Sequence, residues 1–110
     1  MLDDNLRYLA KQLLDSYDVM YNLCYPEVER IINNQIKDIN LIEHTLDQAL
    51  DIYTEKGFNL FLKLVFYYST IDTEKAYEYL NILKEIREEE YNEFIEKITR
   101  EHEKQKKYVK

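Results

Sequence analysis

Apolar side chains recur near the start of the chain at steps of three and four residues, the spacing that places them on one face of an α-helix. They are Leu2, Leu6, Leu9, Leu13, Tyr17, Met20 and Cys24. Asp3 and Asp4 lie in the first turn, where acids favour the positive end of the helix dipole. Because Tyr25 precedes Pro26, and a residue before proline disfavours the α conformation, we predict a first helix over 3–25 with this stripe facing the core.

A second apolar stripe runs from Val28 to Tyr53 without a change of phase. It favours one helix over 27–56, with Pro26 suited to its first turn. Gly57 follows Lys56 and is expected to form the C-terminal cap of this helix.

Two features keep open the alternative that this second helix is split. The first is the polar run Asn-Asn-Gln at 33–35, which interrupts the apolar stripe. The second is the pair Asn40 and Glu43, which has the spacing of a capping box.

Residues 58–68 are apolar on every side except at Asn59 and Lys63, a pattern typical of an element buried on all faces. A lone strand would have no partner in an otherwise helical chain. We therefore predict a short central helix over 59–69, around which the other helices wrap. Asp72 then suits the N-cap of a further helix.

The last helix is predicted over 73–107. Its apolar positions end at Ile98, but Glu96 and Arg100 form one of several i,i+4 pairs that favour continued helix. A helix of that length would span about 52 Å, whereas a compact domain of this size has a radius of gyration of about 13 Å. We expect its C-terminal third to overhang, to fray or to lie on another chain.

Composition agrees with an all-α protein, since the 110 residues include one glycine and one proline. The predicted architecture is a four-helix, bundle-like domain over 1–98, followed by a basic helical extension or frayed tail over 99–110.

The chain has neither a run of 18 uncharged apolar residues nor a signal-peptide core. We expect a soluble, cytoplasmic protein that does not bind membranes.

The amino-acid composition indicates what kind of genome encodes the chain. Ile, Asn, Lys and Tyr, which have AT-rich codons, occupy 41 of the 110 positions, whereas Gly, Ala, Arg and Pro occupy nine. This bias indicates an AT-rich genome, such as that of a low-GC bacterium or one of its phages or plasmids.

The residues that catalytic and metal sites require are scarce. Neither His44 nor His102 follows a glutamate by three residues, so the ligand pattern of a carboxylate-bridged di-metal bundle is missing. Gly57 alone cannot form a glycine-rich phosphate loop or a nucleophile elbow. Cys24 lies on the predicted buried stripe and is expected to be a core residue. We therefore expect no enzymatic activity, no cofactor and no metal.

Tyrosine and charge supply the candidate binding features. Six of the eleven tyrosines fit inward or near-inward positions: Tyr17, Tyr53, Tyr67, Tyr68, Tyr79 and Tyr91. The net charge is −7, but residues 99–110 carry +3. Partner contacts are predicted on the acidic face and basic end of the last helix, at Tyr77, Glu85, Glu89, Glu93, Arg100, Lys104, Lys107 and Tyr108.

These features favour a non-enzymatic protein-binding module, such as an inhibitor, an immunity-type protein or an adaptor encoded by a phage or mobile element. Another protein is the expected partner, and the acidic body argues against nucleic acid. Two alternatives stay open. One is a self-assembling structural protein that pairs through the C-terminal helix, and the other is a nucleic-acid or regulatory factor that uses the basic tail.

Overall fold

The structure is a computed structural model that describes residues 4–89, 92–93, 96 and 100. It contains helices α1 (Asp4–Asn33), α2 (Ile39–Leu50), α3 (Glu55–Ser69) and α4 (Thr73–Ile86). No strand occurs in this part of the chain, so the prediction of an all-α, bundle-like fold is confirmed. The chain divides into two compact units, Met1–Ala76 and Tyr77–Lys110.

α1 continues through Pro26, so the prediction of a helix that ends at residue 25 was wrong. A proline inside a helix cannot donate to the carbonyl four residues earlier, which here belongs to Asn22. Pro26 and Asn22 are both exposed, so water can satisfy that carbonyl. Cys24 and Val28 are buried, and their packing holds the helix together across the proline.

α1 ends in a Schellman turn instead of beginning a second helix. The N–H of Ile36 donates to the carbonyl of Ile31 at 2.9 Å, and the N–H of Gln35 donates to that of Ile32 at 3.1 Å. Gln35 has a φ of 51°, the left-handed conformation usually carried by glycine or asparagine. The single helix over 27–56 was therefore wrong, and the alternative of a split at the Asn-Asn-Gln run is confirmed.

α2 is capped by Asp38, whose Oδ1 accepts a hydrogen bond from the N–H of Leu41 at 3.2 Å. The predicted capping box does not form. Asn40 lies within the helix, and the Oε2 of Glu43 accepts a hydrogen bond from the hydroxyl of Tyr68 at 2.7 Å. Glu43 therefore ties α2 to α3 rather than capping its own helix.

Gly57 lies in the first turn of α3, so its predicted role as the cap that ends the preceding helix was wrong. Thr54 is the N-cap of α3, and its Oγ1 accepts a hydrogen bond from the N–H of Gly57 at 3.1 Å. A Cβ at this position would overlap the carbonyl oxygen of Ile52 and stand 2.6 Å from the Cβ of Ile52. Glycine therefore allows the α2–α3 link to lie directly against the start of α3.

α3 packs against both α1 and α2 and has more buried side chains than either of them. Its buried side chains are Phe58, Leu60, Phe61, Leu62, Leu64, Val65 and Tyr68. Asn59 and Lys63 are exposed, as the pattern required, and Phe66 is also exposed. The prediction of a central, largely buried helix is confirmed for its contacts with α1 and α2, although its start lies four residues earlier than expected.

α4 begins as predicted, because Asp72 Oδ1 accepts a hydrogen bond from the N–H of Lys75 at 3.1 Å. The helix ends at Ile86, and Arg87 is not helical. Helical conformation is present again at residues 88–89, 92–93, 96 and 100. An unbroken helix over 73–107 was therefore wrong at Arg87, and the last part of that range lies outside the described residues.

Candidate interaction surface

The binding residues predicted from the sequence all lie in the second unit. Five of them are described and exposed: Tyr77, Glu85, Glu89, Glu93 and Arg100. Arg100 Nη2 lies 3.7 Å from an Oε of Glu96. This confirms the predicted i,i+4 pair, which adds little stability between two exposed side chains. Lys104, Lys107 and Tyr108 lie outside the described residues.

A larger surface that the sequence pattern did not predict lies on the first half of α1. Every residue from Asp4 to Ser16 is exposed. Leu6, Leu9 and Leu13, which we call the amino-terminal stripe, are 52%, 58% and 54% exposed. The expectation that they face the core was wrong, because α2 and α3 do not cover this part of the helix.

The amino-terminal stripe continues the face of α1 that packs in the core. Leu6 and Leu13 stand 18 residues before Cys24 and Ile31, which is about five turns of an α-helix, so each pair points in nearly the same direction. Cys24 and Ile31 are buried. One face of a single helix is therefore covered by α2 and α3 in its second half and bare in its first half.

Tyr17 marks the boundary between the two halves. Its ring packs at a tilt against that of Tyr53, with the ring centroids 6.2 Å apart. Tyr53 follows α2 and is exposed, which corrects its predicted inward position. The 13 residues from Asp4 to Ser16 extend past this contact by about 20 Å at 1.5 Å per residue.

Beyond this boundary, aromatic and charged side chains of α1 contact each other and two lysines of α3. The rings of Tyr21 and Tyr25 lie 5.6 Å apart, and the ammonium of Lys56 lies 5.6 Å from the centre of the Tyr21 ring. Lys63 forms an ion pair with Glu29 on α1, and the hydrogen bond to Glu29 raises the pKa of the lysine. Tyrosines of this kind are common at the centre of protein interfaces.

Cys24 is a core residue, as predicted. Its Sγ lies 3.8 Å from the carbonyl oxygen of Thr45 in the adjacent helix. Burial, with a smaller contribution from the negative charge of Glu27, raises the pKa of the thiol to about 11. The thiol is therefore protonated near neutral pH, which is the opposite of what a nucleophilic cysteine requires.

A groove of about 710 Å³ lies beside the end of α1. It is lined by Ile32, Gln35, Lys37, Tyr67, Thr70 and Ile71. The hydroxyl of Tyr67 already donates to the carbonyl of Ile36 at 2.7 Å. No group of three His, Cys, Asp or Glu side chains that could hold a metal ion exists among the described residues, and His44 is exposed.

Comparison with protein-family models, with curated proteins and with solved structures finds no significant match to this chain. No helix in the described residues is both long and apolar enough to cross a membrane. The structural class of the chain therefore rests on its own fold and surface. The chain is an all-α helical bundle whose first helix bears a partly uncovered apolar face.

Proposed function

We propose that this protein is a non-enzymatic protein-binding module and that the amino-terminal stripe is its docking surface. The observation that supports the proposal is the half-covered face of α1, which is buried at Cys24 and Ile31 and exposed at Leu6 and Leu13. An inhibitor, an immunity-type protein or an adaptor could each use such a surface to hold another protein.

The stripe offers enough apolar surface to contribute to binding. Complete burial of an exposed leucine is worth about 1.5–3 kcal/mol. Leu6, Leu9 and Leu13 are each a little over half exposed, so covering all three supplies about 3 kcal/mol before any contribution from the partner. Single exposed leucines are ordinary on protein surfaces. Three on one helical face form a continuous patch of the kind that marks an interaction site.

The spacing of the stripe indicates that its partner is also a helix. Leu6, Leu9 and Leu13 are separated by three and then four residues, the alternation that forms the seam between two packed helices. The charged residues of the same segment argue against a membrane surface, since Arg7 and Lys11 are balanced by nearby acids. Amphipathic helices that bind membranes carry an excess of Lys and Arg on the polar face.

Site-specific photo-crosslinking in the cells that naturally make the protein tests this proposal. A photoreactive amino acid is placed at Leu9 or Leu13 on the stripe, and at Lys11 or Asp15 on the opposite side of α1 as matched controls. We expect discrete crosslinked protein adducts from positions 9 and 13 and none from 11 and 15. Equal labelling at all four positions, or no protein adduct from the stripe, would contradict the proposal.

A further inference from the structure

We propose that the occupant of the amino-terminal stripe is a second copy of this chain, paired antiparallel through the same segment of α1. This inference rests on the proposed function, because it requires the stripe to be a docking surface. It differs from the self-association expected from the sequence, which used the C-terminal helix. Three properties of the segment from Asp4 to Ser16 support this pairing: its apolar face is complementary to itself, its bare length suits an antiparallel pair, and its net charge is zero.

The shape of the stripe is self-complementary in one antiparallel register. If the two helices cross level with Lys11, residues whose numbers add to 22 face each other. Leu9 then meets Leu13 of the second copy, and Leu6 meets Ser16. Ser16 lies on the same face as the stripe, three residues after Leu13. A large side chain therefore meets a small one at each end, and two leucines meet at each central layer, as in antiparallel helix pairs.

The length of the bare segment selects the antiparallel arrangement. The segment is bare over about 20 Å, up to the contact between Tyr17 and Tyr53. Two such segments that run in opposite directions cover each other from end to end and leave α2 and α3 of the two copies at opposite ends. In a parallel pair, α2 and α3 of both copies would compete for the same space, because they pack on the face that forms the pair.

The net charge of this segment does not oppose self-association. Asp4, Arg7, Lys11 and Asp15 give Asp4–Ser16 a net charge of zero, whereas the whole chain carries −7. Antiparallel pairing also separates the two acidic bodies by about the length of the segment. That distance exceeds the Debye length of about 8 Å at physiological salt, so repulsion between the bodies is screened.

The size of the contact indicates a reversible dimer. Two short helix faces bury an area at or below the roughly 1,200 Å² that marks the lower end of stable interfaces. We therefore expect association in the micromolar range, so that the monomer predominates at about 1 µM and the dimer above about 100 µM.

Sedimentation velocity of the full chain between about 1 and 300 µM tests the proposal. We expect the mass to rise from 13.5 kDa toward twice that value. Leu9→Asp should weaken dimerisation at least about tenfold, because it places an unpaired charge in the seam. Leu14→Asp is the matched control and should leave dimerisation unchanged. Leu14 is also exposed on this segment, but it lies about 100° around the helix from Leu13 and outside the seam formed by residues 6, 9, 13 and 16.

Engineered disulfides test the register. A Leu9→Cys chain mixed with a Leu13→Cys chain should form a disulfide-linked pair under mild oxidation. Leu6→Cys alone should not, because the register places its two copies about 15 Å apart along the axis, beyond the roughly 7 Å limit for a disulfide.

Two results would overturn the proposal. One is a disulfide-linked dimer of Leu6→Cys alone, which would show parallel pairing. The other is a wild-type chain that stays monomeric at every concentration. If such a monomer still yields adducts with a different protein in the photo-crosslinking experiment, the second copy is rejected while the protein-binding function stands.

Discussion

Replacement of Gly57 by alanine tests the packing at the α2–α3 link most directly. The added Cβ would overlap the carbonyl oxygen of Ile52 and lie 2.6 Å from both the Cβ and the Cγ2 of that residue. Ile52 is fully buried, and Gly57 is itself buried in the first turn of α3. Neither side of this contact can therefore move away without disturbing the start of α3.

The expected magnitude follows from two opposing effects. Forcing a methyl group into a packed site costs about 1–3 kcal/mol, and the upper end applies here because the nearest atom belongs to the backbone. Alanine in place of glycine stabilises a helix by up to about 1 kcal/mol, which offsets part of this cost. We expect the free energy of unfolding to fall by about 2 kcal/mol, which lowers Tm by about 10 °C in a domain of this size.

Urea denaturation followed by circular dichroism at 222 nm measures this change, with a thermal melt as the second assay. Asn59→Ala is the matched control, because Asn59 is exposed two residues further along the same helix. That variant gains helix propensity without a clash and should stay within about 0.5 kcal/mol of the wild type. A Gly57→Ala protein as stable as the wild type would show that α3 tolerates a side chain beside Ile52 and would refute the close-packing explanation.

Two further outcomes are expected from single residues. Gln35→Gly should raise the free energy of unfolding by about 0.5–1 kcal/mol, because glycine adopts the left-handed conformation without strain; Gln35→Ala should give no gain in the same urea titration. The thiol of Cys24 has its pKa raised from 9.0 to about 11, so the unfolded chain loses its thiol proton first. The wild type should therefore lose stability relative to Cys24→Ala as pH rises from about 9 to about 11.

Features that depend on residues close in sequence could be predicted. Asp72 was identified as the N-cap of α4 because the side chain that caps and the N–H that it binds are three residues apart. The third helix was recognised because apolar residues lie on nearly every side of it, which requires burial on most faces. In both cases the signal lies within the helix that it predicts or in the residue that caps it.

Predictions failed where tertiary packing outweighed a local preference. Proline normally ends a helix, but Pro26 sits on the exposed side of α1 while Cys24 and Val28 hold the other side in the core. Gln35 is not a typical residue for the left-handed position of a Schellman turn. The left-handed conformation of Gln35 is nevertheless favoured by two hydrogen bonds, from the N–H groups of Gln35 and Ile36 to carbonyls in the last turn of α1. Neither outcome can be read from propensities alone.

The amino-terminal stripe was missed as a consequence of the Pro26 error. Helices over 3–25 and 27–56 would be similar in length, so the second could cover the first from end to end. The observed α1 has 30 residues, whereas α2 and α3 have 12 and 15. Helices of those lengths cannot cover one of about 45 Å, so part of its apolar face is left bare. A correct length for α1 would have revealed the surface from the sequence.

The composition of α1 supports the proposal that this surface is a docking face. A helix that only extended into solvent would need no leucine at positions 6, 9 and 13, because glutamate, lysine and glutamine form helices nearly as well. The segment instead keeps the apolar spacing of its buried half and loses only the helices that cover it. The same face thus stabilises the fold from Cys24 onward and presents a helix-sized contact before Tyr17. Substitutions from Cys24 onward should accordingly weaken folding, whereas substitutions in the amino-terminal stripe should weaken binding alone.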